Sequence, residues 1–318
     1  MHQTPLCHPC VHRQVLRVFE VASACPEAAG MTAIEREAIT RELLEETGHW
    51  LALQPVTLSP AEVSWTPIKM VYRRLGIADP YRELKQRSNL EAMELLPEMR
   101  EWIRKSSSPI ETAAHLAVAG NIIDLGIHKD YDIHESIQRI LEEGFPINHI
   151  EGFMEDLEQR ELIGQGAKIL YICDNAGEIA FDRLLIETLH EFYPSSHITA
   201  AVNGGPVLND ALMEDAIAVG LTEIVPVIDN GNDQLGTILS HCSPEFCEAF
   251  ENADWIISKG QANFETLDGV TDKVLFLLKA KCEAIAQYLG VELHQGVFKQ
   301  GTALDSTAQV SLPCPSEL

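Results

Sequence analysis

The sequence contains no apolar run that approaches the ~18 residues a membrane-spanning helix requires. Its first stretch, MHQTPLCHPCVHRQV, lacks a continuous apolar region, so we expect no secretory signal and a cytoplasmic location. Basic residues are scarce: 23 Lys and Arg stand against 48 Asp and Glu, which gives a formal net charge of −25. Binding to nucleic acid or to an anionic membrane surface is therefore not expected, because both need a basic face.

Other absences narrow the function further. No GxGxxG follows a predicted strand, which argues against a dinucleotide-dependent oxidoreductase. Internal repeats and low-complexity tracts are also missing. The chain has eight cysteines and no expected signal peptide. The cysteines therefore indicate free thiols or metal ligands more than a disulfide framework.

The pattern of apolar residues divides the 318-residue chain into two halves. Up to residue 163, apolar residues recur at helical spacing, which predicts an all-helical subdomain. Short apolar runs (AKILYICD, HITAAVN, EIVPVID, ADWIISK, KVLFLLK) then alternate with amphipathic segments, which predicts a three-layer α/β domain with a mainly parallel, doubly wound sheet over residues 164–300. Residues 301–318 lose this periodicity and are expected to form a flexible tail.

Ligands of doubly wound sheets bind beyond the carboxyl ends of the strands, and polar residues are concentrated there. In CDNAGE, Asp174 and Asn175 offer hard oxygen ligands suited to Mg²⁺ or Mn²⁺, and Gly177 lets the backbone approach a ligand. In NGGPVLND, a turn that contains Gly205 delivers Asp210, which can complete a metal site with Asp174. Each feature alone is also typical of a helix cap or a simple turn.

The third strand end carries a basic residue. SKGQANFE places Lys259 and Gly260 between a strand and a helix, and a lysine beside free backbone N–H groups is suited to bind phosphate. A solvated lysine is the alternative interpretation. We expect Gly205, Gly260 and Asn263, all within these strand-end motifs, to contact the substrate.

The helical half supplies two further groups of polar residues. In HLAVAGNIIDLGI, Asn121 and Asp124 are spaced to project from one face of an otherwise apolar helix. They indicate either a capping or interhelical hydrogen bond or a wall of the substrate site. In DPYRELKQRSN, Arg82, Lys85 and Asn89 form either a solvated face or a source of positive charge for the cleft.

Together the motifs DPYRELKQRSN, AGNIIDLG, CDNAGEIAFD, NGGPVLNDA and SKGQANFETL, in this order, resemble the damage-control phosphatase family, long catalogued as a domain of unknown function. The resemblance implies a helical subdomain beside a Rossmann-like domain, and a divalent-metal-dependent phosphatase of small phosphorylated metabolites. By motif position it implies Asp174, Asn175 and Asp210 as metal ligands and Lys259 as the phosphate contact. It also implies that Asn121 and Asp124 line the substrate site.

The N-terminal CHPC pair, Cys7 and Cys10, is similar to a motif of the free-standing microbial branch of that family. One CxxC lacks the second pair of ligands that a closed zinc site needs. The sequence offers His2, His8, His12 and Cys25 as further ligands, but an unligated thiol pair or a redox-sensitive surface is the favoured alternative.

The reaction expected from these residues is metal-assisted hydrolysis of a phosphomonoester. The cation is Mn²⁺, Co²⁺, Ni²⁺ or Mg²⁺, Lys259 and the amides after Gly260 neutralise phosphate charge, and Glu178 is a candidate to orient water. A covalent aspartyl-phosphate on Asp174 is less favoured, because Ala176 stands where such enzymes carry a second Asp. The alternatives are an S-adenosylmethionine-dependent carboxyl methyltransferase and a non-catalytic metal or nucleotide sensor.

Overall fold

The computed structural model describes residues 1–120 and 141–303. The chain is helical up to Leu162 within these ranges, with α1 Cys7–Ser23, α2 Ala33–Leu53, α3 Pro60–Leu75, α4 Arg82–Lys105, α5 Pro109–Ala119 and α6 Ile150–Leu162. Capping boxes, Thr32 with Glu35 and Ser59 with Glu62, satisfy the first backbone N–H groups of α2 and α3. Gly76 ends α3 in the left-handed conformation.

Strands appear only after α6 in the described residues. They are β1 Lys168–Ile172, β2 His197–Val202, β3 Val227–Asp229, β4 Trp255–Lys259, β5 Val274–Lys279 and β6 Gly296–Gln300. The helices between them are α7 Glu178–Phe192, α8 Met213–Ala218, α9 Pro244–Asn252, α10 Gln261–Leu267 and α11 Glu283–Leu289. Short 3₁₀ turns occupy Pro26–Ala28, Leu221–Glu223 and Leu239–His241.

The strands form one sheet in the order β3-β2-β1-β4-β5-β6. The first five are parallel, and β6 pairs with β5 in the antiparallel direction. The chain winds from β1 outward to β3 and then returns to place β4 on the other side of β1. The carboxyl ends of β1 and β4 therefore meet where the winding direction reverses.

Both faces of the sheet are covered by helices. Alternate residues of β1 point to opposite sides: Ile169 and Tyr171 pack with α4, α5, α6 and α7, whereas Leu170 and Ile172 pack with α9, α10 and α11. Helices α1, α2 and α3 form a separate cluster that packs on Val207 and Leu235. The first helices thus cover the strand-end loops and not a sheet face.

The predicted fold class, helices followed by a three-layer α/β domain with a mainly parallel sheet, is confirmed. Strand β6 was not predicted. The domain boundaries remain a prediction, and most of the expected tail, residues 304–318, lies outside the described residues. Among the helices of the described ranges, none is both long enough and apolar enough to cross a membrane.

Candidate functional site

The loops after β1 and β4 are in close contact at the point where the chain reverses its winding direction across the sheet. Asp174 lies in the first loop and Gly260 begins the second. A Cβ added to Gly260 would lie 2.1 Å from Asp174 Cγ, and Gly260 has a φ of +82°. Only glycine therefore allows this close approach.

The loop after β2 returns to the loop after β1. The N–H of Ala211 donates to the carbonyl of Asp174 at 2.8 Å, and Asn175 and Asp210 form an isolated antiparallel bridge. These backbone bonds bring together the three residues that the sequence predicts as metal ligands.

The amide of Asn175 connects two carboxylates. Its Nδ2 donates to Asp174 Oδ2 at 2.6 Å and to Glu178 Oε2 at 3.2 Å. Because the amide hydrogens face these carboxylates, Oδ1 is the atom of Asn175 that suits a cation.

Acidic groups crowd the half-buried side chain of Asp174. Burial, followed by the charges of Glu178 and Asp210, raises the pKa of Asp174 well above its usual range, although Lys281 and Lys259 act in the opposite direction. A carboxylate in such surroundings is stabilised in its charged form by a cation.

A narrow cleft is lined by Asp174 and Asp210, with an interior volume of about 10 Å³, close to that of one water molecule or ion. Its lining is Ile172, Cys173, Asp174, Val202, Asn203, Asp210, Asn230, Gly236, Thr237, Phe246 and Asn263. The Oδ1 of Asn203 is buried there without a hydrogen-bond partner in the described part of the chain, while its Nδ2 donates to Asp210 Oδ2 at 3.1 Å. Asn203 is an oxygen donor for which the sequence analysis had predicted no role.

The donor set is consistent with a hard divalent cation, because it consists of carboxylate and amide oxygens. Across residues 1–120 and 141–303, no cluster of three or more His, Cys, Asp or Glu suited to a metal occurs. Asp174 and Asp210 are two such residues, and Asn175 and Asn203 are the neutral oxygen donors beside them. A divalent cation at this site would therefore be bound by a mixture of carboxylate and amide oxygens.

Lys259, the last residue of β4, is fully buried and does not line this cleft. Its ammonium donates to the carbonyl of Ala117 at 2.9 Å, to Asp182 Oδ1 at 2.7 Å and to Glu178 Oε1. Burial by itself lowers the pKa of Lys259, but the two carboxylates outweigh it and hold the pKa above its usual range. All three N–H groups are directed at protein acceptors, so none points at a phosphate in this arrangement.

Asp182 was missed by the sequence analysis. It is fully buried, and its Oδ1 accepts from Lys259 and from the hydroxyl of Tyr171 at 2.8 Å. Burial raises the pKa of Asp182 to about 6, although Lys259 acts in the opposite direction. The spacing of Glu178 and Asp182, one helical turn apart in an apolar helix, was the only sequence signal for this cluster.

The predicted substrate contacts have different surroundings. Asn263 is buried, and its amide donates to the carbonyl of Lys259 at 2.8 Å and accepts from Thr237 Oγ1 at 2.8 Å. Gly205 faces Asp233, where an added Cβ would lie 2.6 Å from the Asp233 Cβ. Asn121 and Asp124 lie outside the described residues.

The helical half contributes buried polar groups. Asn89 accepts from the N–H of Gly177 at 2.7 Å and donates to Asp215 Oδ1 at 2.7 Å. Lys85 is buried, with Nζ 3.0 Å from Asp79 Oδ2 in an ion pair that lacks hydrogen-bond geometry. Asn89 therefore holds the start of α7, while Lys85 is paired in the interior and does not add charge to the cleft.

The N-terminal cysteines are at the start of α1. Cys7 is buried and Cys10 is exposed, and both are free thiols. The backbone N–H of Thr4 lies 3.3 Å from Cys7 Sγ. His8 bonds to Gln3, so the described residues do not gather the ligands of a zinc site around the pair.

Comparisons with known proteins agree with this architecture. Residues 4–297 match the model of the damage-control phosphatase ARMT1-like domain. A damage-control phosphatase of Archaeoglobus fulgidus is 36% identical over 237 residues, which cover 73% of this chain and 79% of the relative. One of Pyrococcus horikoshii is 38% identical over 223 residues, covering 70% of this chain and 74% of the relative. The crystal structure of a DUF89 family protein from Pyrococcus horikoshii has a TM-score of 0.81 and 31% identity, covering 95% of this chain and 100% of that one.

Proposed function

The chain belongs to the damage-control phosphatase family, and from this premise we propose that it is a divalent-metal-dependent phosphatase of small phosphorylated metabolites. The family supports hydrolysis of a phosphate ester of a damaged or side-product metabolite. Metal dependence and the phosphomonoester class of substrate are our inferences from the site.

The observation that carries the proposal is the meeting of Asp174, Asn175 and Asp210 at the reversal point of the sheet. Asp174, Asp210 and Asn203 line one narrow cleft, and Asn175 is hydrogen-bonded to Asp174 beside it. The pKa of Asp174 is raised by burial and by its acidic neighbours. Such a set would hold a divalent cation through hard oxygen atoms. Mn²⁺, Co²⁺, Ni²⁺ and Mg²⁺ are the candidates.

The net charge gives an independent reason for a cation. At −25 the chain repels an anionic substrate, and Lys259 directs its ammonium to Glu178 and Asp182. A divalent cation held at the cleft would supply Lewis-acid neutralisation of a phosphoryl group. Asp174 and Asp210 contribute the negative charge that retains it.

Buried residues next to Asn175 set the geometry of the site. Glu178 accepts from Lys259 through Oε1 and from Asn175 through Oε2, so it orients the Asn175 amide. We therefore assign Lys259 and Glu178 to positioning and charge balance, in place of the direct phosphate and water contacts expected from sequence. Gly260 keeps open the space that the Asp174 carboxylate occupies.

The family favours a phosphatase over the methyltransferase and the sensor considered from sequence. Sugar phosphates and related small phosphate esters are the substrates we propose, because a cation held by Asp174 and Asp210 would neutralise one phosphoryl group.

The test is a phosphate-release screen. Metal-stripped protein is supplied with one cation at a time and incubated with p-nitrophenyl phosphate and a panel of sugar phosphates. We expect release with at least one cation and its loss in Asp174→Ala, whose fold is checked by circular dichroism. Asp272→Ala, which alters an exposed Asp before β5, is the control and should match the wild type.

Two results would overturn the proposal. Folded wild-type protein that releases no phosphate with any cation would argue against a phosphatase of these esters. Undiminished release by Asp174→Ala would argue against the assigned metal site.

A further inference from the structure

One face of α3 is bonded to the loops that carry the metal-site residues. Trp65, Lys69 and Tyr72 are spaced to share this face, and each directs a polar atom at a loop beyond a strand end. The indole N–H of Trp65 donates to the carbonyl of Asp233 at 2.7 Å. Lys69 donates to the carbonyl of Pro206 at 2.5 Å and pairs with Asp233 Oδ2 at 2.8 Å.

Tyr72 makes the contact nearest to Asp210. Its hydroxyl accepts from the backbone N–H of Leu208 at 2.9 Å. Tyr72 and Lys69 are both buried, and the Lys69 ammonium lies 5.1 Å from the centre of the Tyr72 ring. Burial and this cation–π contact restrict the position of the Tyr72 ring and therefore of its hydroxyl.

Leu208 is held in an uncommon backbone conformation. Its φ is +46°, in the left-handed region that residues other than glycine rarely adopt. Two residues later, Asp210 donates its N–H to the carbonyl of Val207 at 3.1 Å, which closes the turn. The turn that presents Asp210 therefore depends on a strained residue, and strain of this kind persists only where surrounding contacts hold it.

We propose that Tyr72 is a positioning residue for Asp210: by accepting the Leu208 N–H it holds the left-handed turn that aims Asp210 at the metal site. The inference rests on the proposed function, since it takes Asp210 as a metal ligand. If Tyr72 has this role, the position of a metal ligand depends partly on α3. Tyr72 and the bonded Leu208 are 136 residues apart along the chain.

The test measures two properties of Tyr72→Phe in the full-length protein. Direct Mn²⁺ binding is measured by titration, and amide hydrogen exchange is followed over residues 203–212. We expect the Mn²⁺ dissociation constant to rise about tenfold, as for other groups that orient a ligand, and exchange in this segment to become faster. Tyr193→Phe, which removes the hydroxyl of a buried tyrosine at the end of α7, is the control and should change neither property.

A rescue variant separates positioning from general damage to the fold. The double variant combines Tyr72→Phe with Leu208→Gly. At position 208 it carries a glycine, which adopts positive φ without steric cost. We expect it to recover most of the lost Mn²⁺ affinity, which a protein that is merely destabilised would not regain.

Unchanged exchange over 203–212 in Tyr72→Phe would overturn the role of Tyr72 in holding the turn. Faster exchange with unchanged Mn²⁺ affinity would overturn its role in positioning Asp210. A wild type that binds no Mn²⁺ would overturn the proposed metal site and the Asp210 part of this inference, while the exchange data would still decide whether Tyr72 holds the turn.

Discussion

Gly260 lies directly against the carboxylate of Asp174: a Cβ at position 260 would be 2.1 Å from both the Cγ and the Oδ2 of Asp174. Real Cβ atoms do not approach other atoms this closely, so any side chain at 260 must displace the carboxylate. The glycine in the loop after β4 therefore controls the position of the acidic residue in the loop after β1.

Gly260→Ala should abolish most phosphate release. Displacing Asp174 by about 1 Å is expected to reduce kcat/KM by about 100-fold. Steady-state kinetics with the best cation will measure the effect. Gly290→Ala is the matched control, because Gly290 also has a positive φ of +71° but an added Cβ would meet nothing within 4 Å. It should lose about 1 kcal/mol of stability and keep its activity, and full activity in Gly260→Ala would contradict the assignment.

Lys259→Met should destabilise the fold strongly. It would leave the buried carboxylates of Glu178 and Asp182 without their cation, and breaking such a pair costs about 3–5 kcal/mol. Urea unfolding will measure the loss. Lys168→Met removes an exposed lysine of β1 and should change stability by less than about 0.5 kcal/mol.

The same variant distinguishes the two roles considered for Lys259. If Lys259 contacts phosphate and does not stabilise the fold, Lys259→Met should raise KM and leave the free energy of unfolding near the wild-type value. That combination would contradict the buried charge cluster.

The family and fold class were predicted correctly because their signals are local. The five parallel strands are short apolar runs with turn residues at both ends, and the motifs follow those runs directly. Strand β6 has only two fully buried residues, Val297 and Phe298, which is too short a pattern to identify an edge strand.

The direction of side chains was not predictable. Sequence places Lys259 at a strand end, but whether its ammonium faces a substrate or the interior depends on Asp182, 77 residues earlier. Tyr72 and Leu208 are 136 residues apart, and no pattern around either indicates their bond. The spacing of apolar residues indicates helices, strands and the ends of strands. These side-chain contacts depend instead on how elements distant in sequence pack together.

Asn89→Leu should reduce both stability and activity. It would leave the N–H of Gly177 and one oxygen of Asp215 without their partner, and each buried group left unpaired costs about 1–3 kcal/mol. Because Gly177 precedes Glu178, the start of α7 should also lose its fixed position. Thermal unfolding and kcat/KM will measure the two effects.

Asn252→Leu, at the exposed end of α9, provides the matched control and should change neither quantity. A loss of stability in Asn89→Leu with unchanged kcat/KM would show that Asn89 holds the fold but not the site.

Ionisation of Glu265 should make the protein less stable as the pH rises towards neutrality. It is buried, and burial raises the pKa of Glu265 to about 7, although the Gln261 amide, the Ala61 N–H and the Met1 ammonium act in the opposite direction. The folded state therefore holds a proton that the unfolded state releases near its ordinary pKa of about 4.5. Stability falls as pH rises from about 4.5 to about 7, by up to about 3 kcal/mol.

The measurement for this prediction is urea unfolding at pH 5 and pH 8. Glu265→Gln keeps the shape of the side chain and its bond with Gln261 but cannot ionise, so its free energy of unfolding should fall less between the two pH values than that of the wild type. Glu251→Gln removes an exposed carboxylate near the end of α9 and corrects for the general change in net charge. Parallel pH profiles for the wild type and Glu265→Gln would mean that Glu265 is charged in the folded protein, with the Met1 ammonium balancing it.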